Sequence, residues 1–326
     1  MVTIRDVAKH AGVSPATVSR VVNGLVGYSD ETRCRVENAV KTLNYETDSL
    51  ARGLKTRQTS VIGLLAPMVS DALASQVMLG VEDEARERGY AVMLGRTGAK
   101  STYIASYLRT LRTYRAAGVI LISAVITSET RQLLGTKVPL ISVAISDKSG
   151  SPSVAIDDEL AAYESTRHLL RLGHRQIGLL EGDPASIYVA LPRKRGYLRA
   201  MAEAGCSPIT AAGNFFYESG AAGVEKLLQQ DPSLTAIFAL SDEMGAAAVN
   251  ELQRRGLRVP EDISVLGFDN TATALHVNPP LSTMSQPLEE MGRMAVKKLL
   301  RSRDLGPKIM PHRLIERGST AVLSTI

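Results

Sequence analysis

Residues 3–23 read Thr-Ile-Arg-Asp-Val-Ala-Lys-His-Ala-Gly-Val-Ser-Pro-Ala-Thr-Val-Ser-Arg-Val-Val-Asn, and this stretch predicts two short helices around a glycine turn. Thr3 and Asp6 have the spacing of a capping box, in which each side chain bonds the other's backbone N–H. The apolar residues that follow recur at spacings of three and four: Ile4, Val7, Ala8 and Ala11. That period is typical of a helix with one face to bury.

The turn and the start of the second helix are marked by three residues. Gly12 can adopt a positive φ at the end of the first helix. Ser14 followed by Pro15 predicts an N-cap with proline at the first helical position. A second helix is therefore expected to begin after a turn of three residues.

The second helix has two chemically different faces. Its apolar stripe consists of Val18, Val21 and Val22. The opposite face carries small or hydrogen-bonding side chains: Ala16, Thr17, Ser19, Arg20 and Asn23. A DNA major groove admits a helix whose N-terminal side chains reach base edges, so this face is suited to reading DNA. The alternative is an ordinary pair of packed helices whose polar face is only solvated.

A third helix is expected after the N-cap Ser29, with Val36, Val40 and Leu43 on one face and Asn44 at its end. Three such helices can close a small core. The segments Asp6-Val-Ala, Ala11-Gly-Val-Ser14, Ala16-Thr-Val-Ser-Arg-Val-Val22 and Asn23-Gly24 resemble the DNA-binding head of LacI/GalR-family transcription regulators. The resemblance implies a helix-turn-helix head over residues 1–45. The residues expected to contact DNA in this head are Thr3, Pro15, Ala16, Thr17, Ser19, Arg20 and Asn23.

Residues 46–59 stand where this family has a hinge helix that forms on operator DNA. By position within Leu50-Ala-Arg-Gly-Leu-Lys55, the resemblance makes Leu54 the wedge in the minor groove and places Ala51 against the groove wall. Wedges of this kind unstack a base step and bend the duplex. A plain linker helix is the alternative. Gly53 lowers the helix propensity here by about 1 kcal/mol relative to alanine, which suits a segment that DNA must order.

Composition is that of an ordinary soluble globular protein: 326 residues, 44% hydrophobic and 22% charged, with a net charge of +5. Residues 1–60 hold nine Lys and Arg against six Asp and Glu, or +3, which suits a phosphate-binding segment. Neither a membrane span nor a signal peptide is evident, so a cytoplasmic protein is expected. Cys34 and Cys206 lack metal or redox spacing and are expected to be buried or inert thiols.

From residue 60 onward, short apolar runs alternate with helical stretches. Examples of the runs are Val61-Ile-Gly-Leu-Leu-Ala66, Gly118-Val-Ile-Leu-Ile-Ser123, Gln176-Ile-Gly-Leu-Leu-Glu181 and Ile263-Ser-Val-Leu-Gly-Phe-Asp269. Helices are expected near residues 73–89, 101–116, 129–135, 159–172, 193–205, 219–230 and 243–255. This alternation predicts parallel sheets in an α/β core of two Rossmann-like lobes over residues 60–326. Ligands of such sheets bind beyond the carboxyl ends of the strands, here in the crevice between the lobes.

The core also resembles the effector-binding part of the same family, which is similar to periplasmic sugar-binding proteins. The resemblance rests on Leu172-Gly-His-Arg-Gln-Ile-Gly-Leu-Leu-Glu-Gly182, Arg193-Lys-Arg-Gly-Tyr197, Ser241-Asp-Glu-Met-Gly245, Val265-Leu-Gly-Phe-Asp269 and Pro279-Pro-Leu-Ser-Thr283. It implies that Arg193 binds effector hydroxyls or a carboxylate, that Asp269 accepts hydrogen bonds, and that Ser241 with Asp242 fill the place of the usual Asn-Asp pair. A structural ion pair or loop cap is the alternative for Arg193 and Asp269.

Three further effector-contacting residues are expected where the chain departs from its relatives. Asp71 begins the segment Asp71-Ala-Leu-Ala74, which replaces an aromatic stretch that can stack on a sugar ring, and Asp158 stands where many relatives have Asn. Phe215 is the expected apolar wall, with Phe216, Tyr217 and Tyr188 as alternatives. These departures argue against a common hexose and leave the effector open.

The sequence therefore predicts a homodimeric transcription regulator, a repressor that binds a palindromic operator and responds to a carbohydrate effector. No enzyme activity, cofactor or metal is expected, because no catalytic motif is present and the five histidines are scattered. An exported solute-binding protein and a sugar-modifying enzyme are the alternatives from other classes. The first would need an export signal and the second a catalytic constellation.

Overall fold

The computed structural model describes residues 2–22, 26–45, 59–98, 102–146, 149–301 and 306–323. The chain divides into two compact units, Met1–Thr59 and Ser60–Ile326. The predicted fold class, a helical head followed by an α/β core of two lobes, is confirmed.

The first unit contains three helices: α1 (Ile4–Ala11), α2 (Pro15–Val22) and α3 (Asp30–Thr42). Both members of the capping box at Thr3 and Asp6 are present, and Gly12 ends α1 with φ +63°. Val7, Val18 and Val36 are fully buried at the centre of the unit. Burial of such a cluster is what stabilises three short helices, which would be marginal in isolation.

Neither of the two thiols that were expected to be buried or inert is fully buried. Cys34 is exposed and Cys206 is half-buried. Val36 and Ala39 already supply the buried face of α3, and Cys34 lies two residues from Val36, on the opposite side of the helix.

The second unit begins with alternating strands and helices. In chain order these are β1 (Val61–Ala66), α4 (Ala72–Glu87), β2 (Ala91–Arg96), α5 (Ile104–Thr113), β3 (Gly118–Ile122), α6 (Ser128–Leu134), β4 (Leu140–Val143) and β5 (Ser153–Ala155). The buried strands β1, β3 and β4 are the apolar runs of the sequence, because a strand covered on both faces has no polar side to alternate with.

The remaining elements continue this alternation. They are α7 (Asp158–Arg171), β6 (Ile177–Leu180), α8 (Ala190–Glu203), β7 (Ile209–Ala211), α9 (Tyr217–Gln230), β8 (Ala236–Ala239), α10 (Asp242–Arg254), β9 (Ser264–Asp269), α11 (Thr273–His276), β10 (Ser282–Ser285), α12 (Leu288–Arg301), β11 (Lys308–Ile309) and β12 (Arg313–Ile315).

The strands form two sheets of six. The first lobe has the order β11-β5-β4-β3-β1-β2 and is wholly parallel. The second has the order β12-β10-β9-β8-β6-β7, in which only β12 is antiparallel to its neighbour. The chain passes between the lobes after β5, after β10 and between β11 and β12. Three chain segments therefore connect the two lobes.

Helices cover each sheet at close range where glycine allows it. A Cβ on Gly80 of α4 would overlap the carbonyl oxygen of Glu289 in α12. A Cβ on Gly196 of α8 would overlap the carbonyl oxygen of Glu159 in α7. Both lobes therefore rely on a helix pair whose backbones approach more closely than any other residue permits.

Candidate functional sites

The outer face of α2 is the candidate DNA-reading surface. Pro15, Ala16 and Arg20 are exposed, and Thr17 and Ser19 are half-buried. Ser14 caps the helix by accepting a hydrogen bond from the Thr17 backbone N–H at 3.1 Å. The N-terminal turn of α2 is thus fixed, while the side chains of its outer face point away from the buried Val18.

Thr3 is exposed beside α1, but its hydroxyl donates to Asp6 Oδ2 at 2.7 Å within the capping box. To contact DNA, the Thr3 hydroxyl would have to share its hydrogen bond with Asp6. Asn23 of the predicted reading face, and Ala51 and Leu54 of the predicted hinge, lie outside the described residues.

Arg35 has a structural task that the sequence did not indicate. Its Nε and Nη2 donate to the Ala11 carbonyl at 3.1 and 2.6 Å, and Nη2 also donates to the Gly12 carbonyl at 3.0 Å. The guanidinium thereby satisfies carbonyl groups at the end of α1, which otherwise lack intrahelical partners. Arg35 therefore orients the turn between the two predicted DNA-contacting helices.

A cavity of about 630 Å³ lies between the two lobes of the second unit. The first lobe lines it mainly with small and apolar side chains, including Ala72, Leu73, Ala124, Val125 and Ile145. The second lobe contributes most of the polar ones, including Ser186, Arg193, Asn214, Ser241, Asp242, Glu243, Asp269 and Thr271. The cavity is large enough for a mono- or disaccharide and is walled on both sides.

Arg193 is the centre of the polar wall and is only 2% exposed. Its Nε donates to Asp158 Oδ1 at 2.8 Å, and its Nη1 donates to the Leu240 carbonyl at 2.7 Å and to Asp269 Oδ1 at 3.5 Å. The guanidinium lies 3.7 Å from the centroid of the Phe268 ring. Stacking and three acceptors hold the side chain in one orientation.

Asp269 ends β9 with the unusual backbone angle φ +111°. Its Oδ1 accepts a hydrogen bond from the Gln286 side chain at 2.7 Å in addition to that from Arg193. Burial raises the pKa of Asp269 well above its ordinary value, and Arg193 opposes that rise. Among the described residues no hydrogen bond reaches Oδ2, and Asp269 lines the cavity, so this oxygen is open to a group within it.

Ser241 and Asp242 lie at the start of α10, beyond the carboxyl end of β8. Ser241 Oγ donates to the Phe215 carbonyl at 2.8 Å and accepts from the Met244 N–H at 3.2 Å. Asp242 accepts from the Thr283 hydroxyl on Oδ1 and from the Thr271 N–H on Oδ2, both at 2.6 Å. Burial raises the pKa of Asp242 to about 6. Much of the hydrogen-bonding capacity of this pair is used within the lobe.

The other three predicted effector contacts occupy different environments. Asp71 lines the cavity and caps α4, accepting from the Leu73 N–H at 3.3 Å, and burial raises its pKa. Phe215 also lines the cavity, with its ring centroid 6.0 Å from the Arg193 guanidinium carbon. Asp158 is buried, is absent from the described lining and accepts a hydrogen bond from Arg193, so its contact with the cavity is indirect. Burial raises the pKa of Asp158 as well, against the effect of Arg193.

Several residues of the cleft were not predicted from the sequence. Thr271, Thr283 and Gln286 fix Asp242 and Asp269, and Glu243 lines the cavity beside them. Of the alternative aromatic walls, Phe216 and Tyr188 line the cavity, whereas the hydroxyl of Tyr217 accepts a hydrogen bond from Asn250. Gln286 follows β10, and the sequence of that strand contains no apolar run from which the strand could be predicted.

Within the described ranges, His, Cys, Asp and Glu side chains form no group of three or more arranged to hold a metal ion. The helices of those same ranges include none that is both long and apolar enough to cross a membrane.

A helix-turn-helix head followed by a two-lobed, periplasmic-binding-protein-like core with a central cavity defines a class of DNA-binding transcription regulators. Residues 3–48 match the family of bacterial regulatory proteins called the lacI family, and residues 166–320 match the periplasmic binding protein-like domain. The chain is 34% identical over 329 residues to catabolite control protein A of Priestia megaterium, covering 98% of this chain and 99% of that protein. The chain therefore belongs to the LacI family.

Two solved structures of similar proteins support this assignment. A lac repressor dimer bound to operator and the anti-inducer ONPF has a TM-score of 0.87 and 30% identity, covering 98% of this chain and 99% of that one. A complex of the transcriptional regulator CelR with cellobiose has a TM-score of 0.73 and 29% identity, covering 98% and 100%. The protein is a DNA-binding transcription regulator, and its relatives are regulators rather than enzymes.

Proposed function

We propose that the protein is a repressor that binds a palindromic operator as a homodimer and is controlled by a sugar-sized effector in the cavity between the lobes. The observation that carries this proposal is the cavity itself, in which the buried Arg193 stacks on Phe268 and donates hydrogen bonds to the carboxylates of Asp158 and Asp269. The solved relatives with operator, anti-inducer or cellobiose support it. The head is proposed to comprise residues 1–45, the hinge 46–59 and the sensor core 60–326.

The proposed DNA contacts start from the exposed side of α2. Arg20 donates to a base edge or phosphate, and Pro15 and Ala16 offer apolar contact to a thymine methyl. Thr17, Ser19, Asn23 and Thr3 add hydrogen bonds, and Ala51 with Leu54 enter the minor groove. A dimer with two-fold symmetry places two such heads on two half-sites.

An exposed apolar surface on the first lobe favours the dimer. Leu79 of α4 is 51% exposed, and Met93 and Leu94 of the edge strand β2 are 36% and 39% exposed. Exposed edge strands and apolar patches of this kind are commonly covered by a partner. Leu94→Arg is expected to produce monomers in sedimentation velocity and to weaken operator binding, whereas an unchanged dimer would place the interface elsewhere.

The switch is proposed to be a change in lobe closure. A ligand that contacts both walls binds more tightly to the arrangement of the lobes in which both contacts form. It therefore shifts the population toward that arrangement. Because three chain segments cross between the lobes, such a rearrangement moves each lobe as a whole. In a dimer, this movement can change the positions of the two heads.

The DNA-binding part is tested by gel shifts with the full-length protein and genomic fragments from beside its own gene. Arg20→Ala is expected to abolish the specific shift, whereas Lys41→Ala removes the same charge from an exposed position of α3 and should change it little. If the dimer neutralises about 6–10 phosphates, its affinity should fall by about 10³–10⁵ between 50 and 200 mM salt. Equal effects of the two substitutions, or binding that salt hardly changes, would contradict the proposed reading face.

The hinge assignment has its own test. Leu54→Ala should weaken binding to the operator more than binding to random DNA, because only the specific complex is proposed to use the wedge. Equal losses on both DNAs would argue against that role.

A further inference from the structure

The described lining of the cavity contains many more acidic than basic side chains. Its acidic residues are Asp71, Glu129, Asp183, Asp242, Glu243 and Asp269. Arg193 is the one cationic side chain among the described lining residues. A cavity built only for a neutral polyol needs hydrogen-bonding groups of both kinds, but it does not need this imbalance.

Arg193 is already engaged by the protein. Its guanidinium is shared between Asp158 and Asp269, at 2.8 and 3.5 Å. When both carboxyls are ionised, they give this group of three side chains a net charge of about −1 before any other lining residue is counted. Arg193 therefore orients its partners without neutralising the cavity.

Acidic groups from the two lobes also act on one another across the cavity. Asp71 belongs to the first lobe, and Glu243 and Asp269 belong to the second. Besides burial, the Glu243 carboxylate raises the pKa of Asp71, and Asp71 adds to the rise in the pKa of Asp269. Repulsion between the walls is the physical cause, and a positive charge placed between them would remove it.

A second feature points into the same space. Asp269 is 6% exposed, and both hydrogen bonds to its side chain end on Oδ1. Its other oxygen, Oδ2, has no hydrogen-bond partner among the described residues, and Asp269 lines the cavity. A carboxylate oxygen that is open to accept suits a charged donor, because charge-assisted hydrogen bonds are stronger than neutral ones.

We propose that the effector of this regulator carries a protonated amine on a sugar-sized polyol, with the ammonium held between Asp71 of the first lobe and Glu243 and Asp269 of the second. A bare metal ion would leave most of the 630 Å³ empty, and the apolar first-lobe wall with Phe215 suits the carbon skeleton of an organic ligand. The inference rests on the proposed function, since it names the class of ligand for the same cavity.

The test measures ligand binding to the full-length protein without DNA, by calorimetry and by thermal shift. The probes are matched pairs that differ in amine against hydroxyl: glucosamine with glucose, galactosamine with galactose, and chitobiosamine with cellobiose. At least one amine is expected to bind ten or more times as tightly as its neutral partner. N-Acetylation of that amine, which removes its charge, should abolish the advantage.

Two conservative substitutions test the position of the charge. Asp71→Asn keeps a capping residue and Glu243→Gln keeps an acceptor for the Thr273 hydroxyl, so both variants should fold. Each should weaken binding of the amine at least ten times more than binding of its neutral partner, because only the amine loses a charge–charge interaction. Glu261→Gln removes a carboxylate from an exposed loop position and serves as the matched control.

Four results would overturn the inference. These are equal or tighter binding of the neutral member in every pair, preferential binding of glucuronate, a thermal shift produced by Ca²⁺ or Mg²⁺ alone and by no amine, and the absence of binding by every amine up to about 10 mM. Equal loss in Glu261→Gln would also contradict it. Because no DNA is present, these outcomes are independent of whether the protein shifts its operator.

Discussion

The two lobes have similar sheets but present different walls to the cavity between them. The second lobe contributes Arg193, Asp242 and Asp269, each held by several hydrogen bonds from its own lobe. The first lobe contributes mostly small and apolar side chains, with half-buried Asp71 and exposed Glu129 as its carboxylates in the described lining. Under the proposed function, the second lobe supplies the fixed polar contacts to the effector and the first lobe covers it.

The cause of this asymmetry lies at the carboxyl ends of the strands. In the second lobe, Asp269 ends β9, and Ser241 with Asp242 follows shortly after β8. In the first lobe, β3 and β4 are followed by Ser123 and by Ala144 with Ile145. Both edges face the cavity, as expected for parallel sheets, but only one is lined with buried charge.

The largest effect is expected from Arg193→Met. The substitution leaves Asp158 and Asp269 buried without their cation, which should lower the free energy of unfolding by about 3–5 kcal/mol at pH 7.5. The loss should be smaller at pH 5, where the two carboxyls, with raised pKa values, can be protonated and so escape the penalty. Urea unfolding at both pH values measures this difference.

Arg258→Met is the matched control for that experiment. Arg258 pairs with Asp262 at the surface and is 69% exposed, so its loss should be far smaller, in line with other surface ion pairs. Equal losses in the two variants, or a loss in Arg193→Met that does not depend on pH, would mean that the second lobe does not depend on its buried charges.

A second prediction asks whether the lobes differ in packing as well as in charge. Gly80→Ala in the first lobe and Gly196→Ala in the second each push a Cβ into a helix backbone. Each should cost about 2–3 kcal/mol, since a rigid carbonyl must move. Calorimetric unfolding of the two variants should show similar losses, because the lobes share this device.

Gly256→Ala controls for the loss of glycine. Gly256 has φ +79°, and a Cβ at this position would have no neighbouring atom within 4 Å. Only backbone strain of about 1 kcal/mol is therefore expected. A much larger loss in one of the two packed variants than in the other would show that the lobes differ in packing as well as in charge.

The third prediction concerns the pH dependence that Asp242 gives to the second lobe. Its pKa is about 6 in the folded protein against an ordinary 3.8, so the folded state binds more protons between these values. Its contribution to stability is therefore fully present below about pH 3.8 and is lost as the pH rises through about 6. Asp242→Asn should remove about 1–2 kcal/mol of this decline, measured as urea unfolding from pH 4.5 to 7.5.

The substitution keeps the local bonding pattern, because Asn can accept from the Thr271 N–H and the Thr283 hydroxyl can accept from its amide. An identical pH dependence in the variant and the original protein would show that Asp242 does not titrate in this window. A variant that loses stability equally at all pH values would point to a purely structural hydrogen-bonding role.

Much of the fold could be predicted from local patterns. The caps at Thr3, Ser14 and Ser29 depend on neighbouring residues only, and all three are present. The buried strands β1 and β3 also carry their own signal, as unbroken apolar runs. Local chemistry is sufficient for such elements because burial on both faces leaves no other arrangement.

The cleft was less predictable because its geometry comes from distant segments. Arg193 and Asp269 could be found by resemblance, but Asp158 meets Arg193 across 35 residues of sequence, and Gln286 reaches Asp269 from the segment where the chain returns to the first lobe. α12 was not predicted either, although its buried residues Leu288, Met291, Ala295 and Leu299 have helical spacing. Nothing in the local sequence distinguishes a carboxylate that lines a cavity from one that lies behind it.

The smallest effect is expected at Asp71, the half-buried carboxylate of the described first-lobe wall. Asp71→Ala should lower the free energy of unfolding by about 1 kcal/mol, because the N-cap of α4 is lost, whereas Asp71→Asn should change it by less than about 0.5 kcal/mol, because asparagine caps equally well. Thermal unfolding of both variants at pH 7.5 measures the difference. A loss in Asp71→Asn as large as that in Arg193→Met would mean that the first lobe also depends on buried charge, and it could then not be only a cover. A loss within the expected range would show that folding does not need the charge of Asp71. This result is expected for a carboxylate whose role is to bind the ligand.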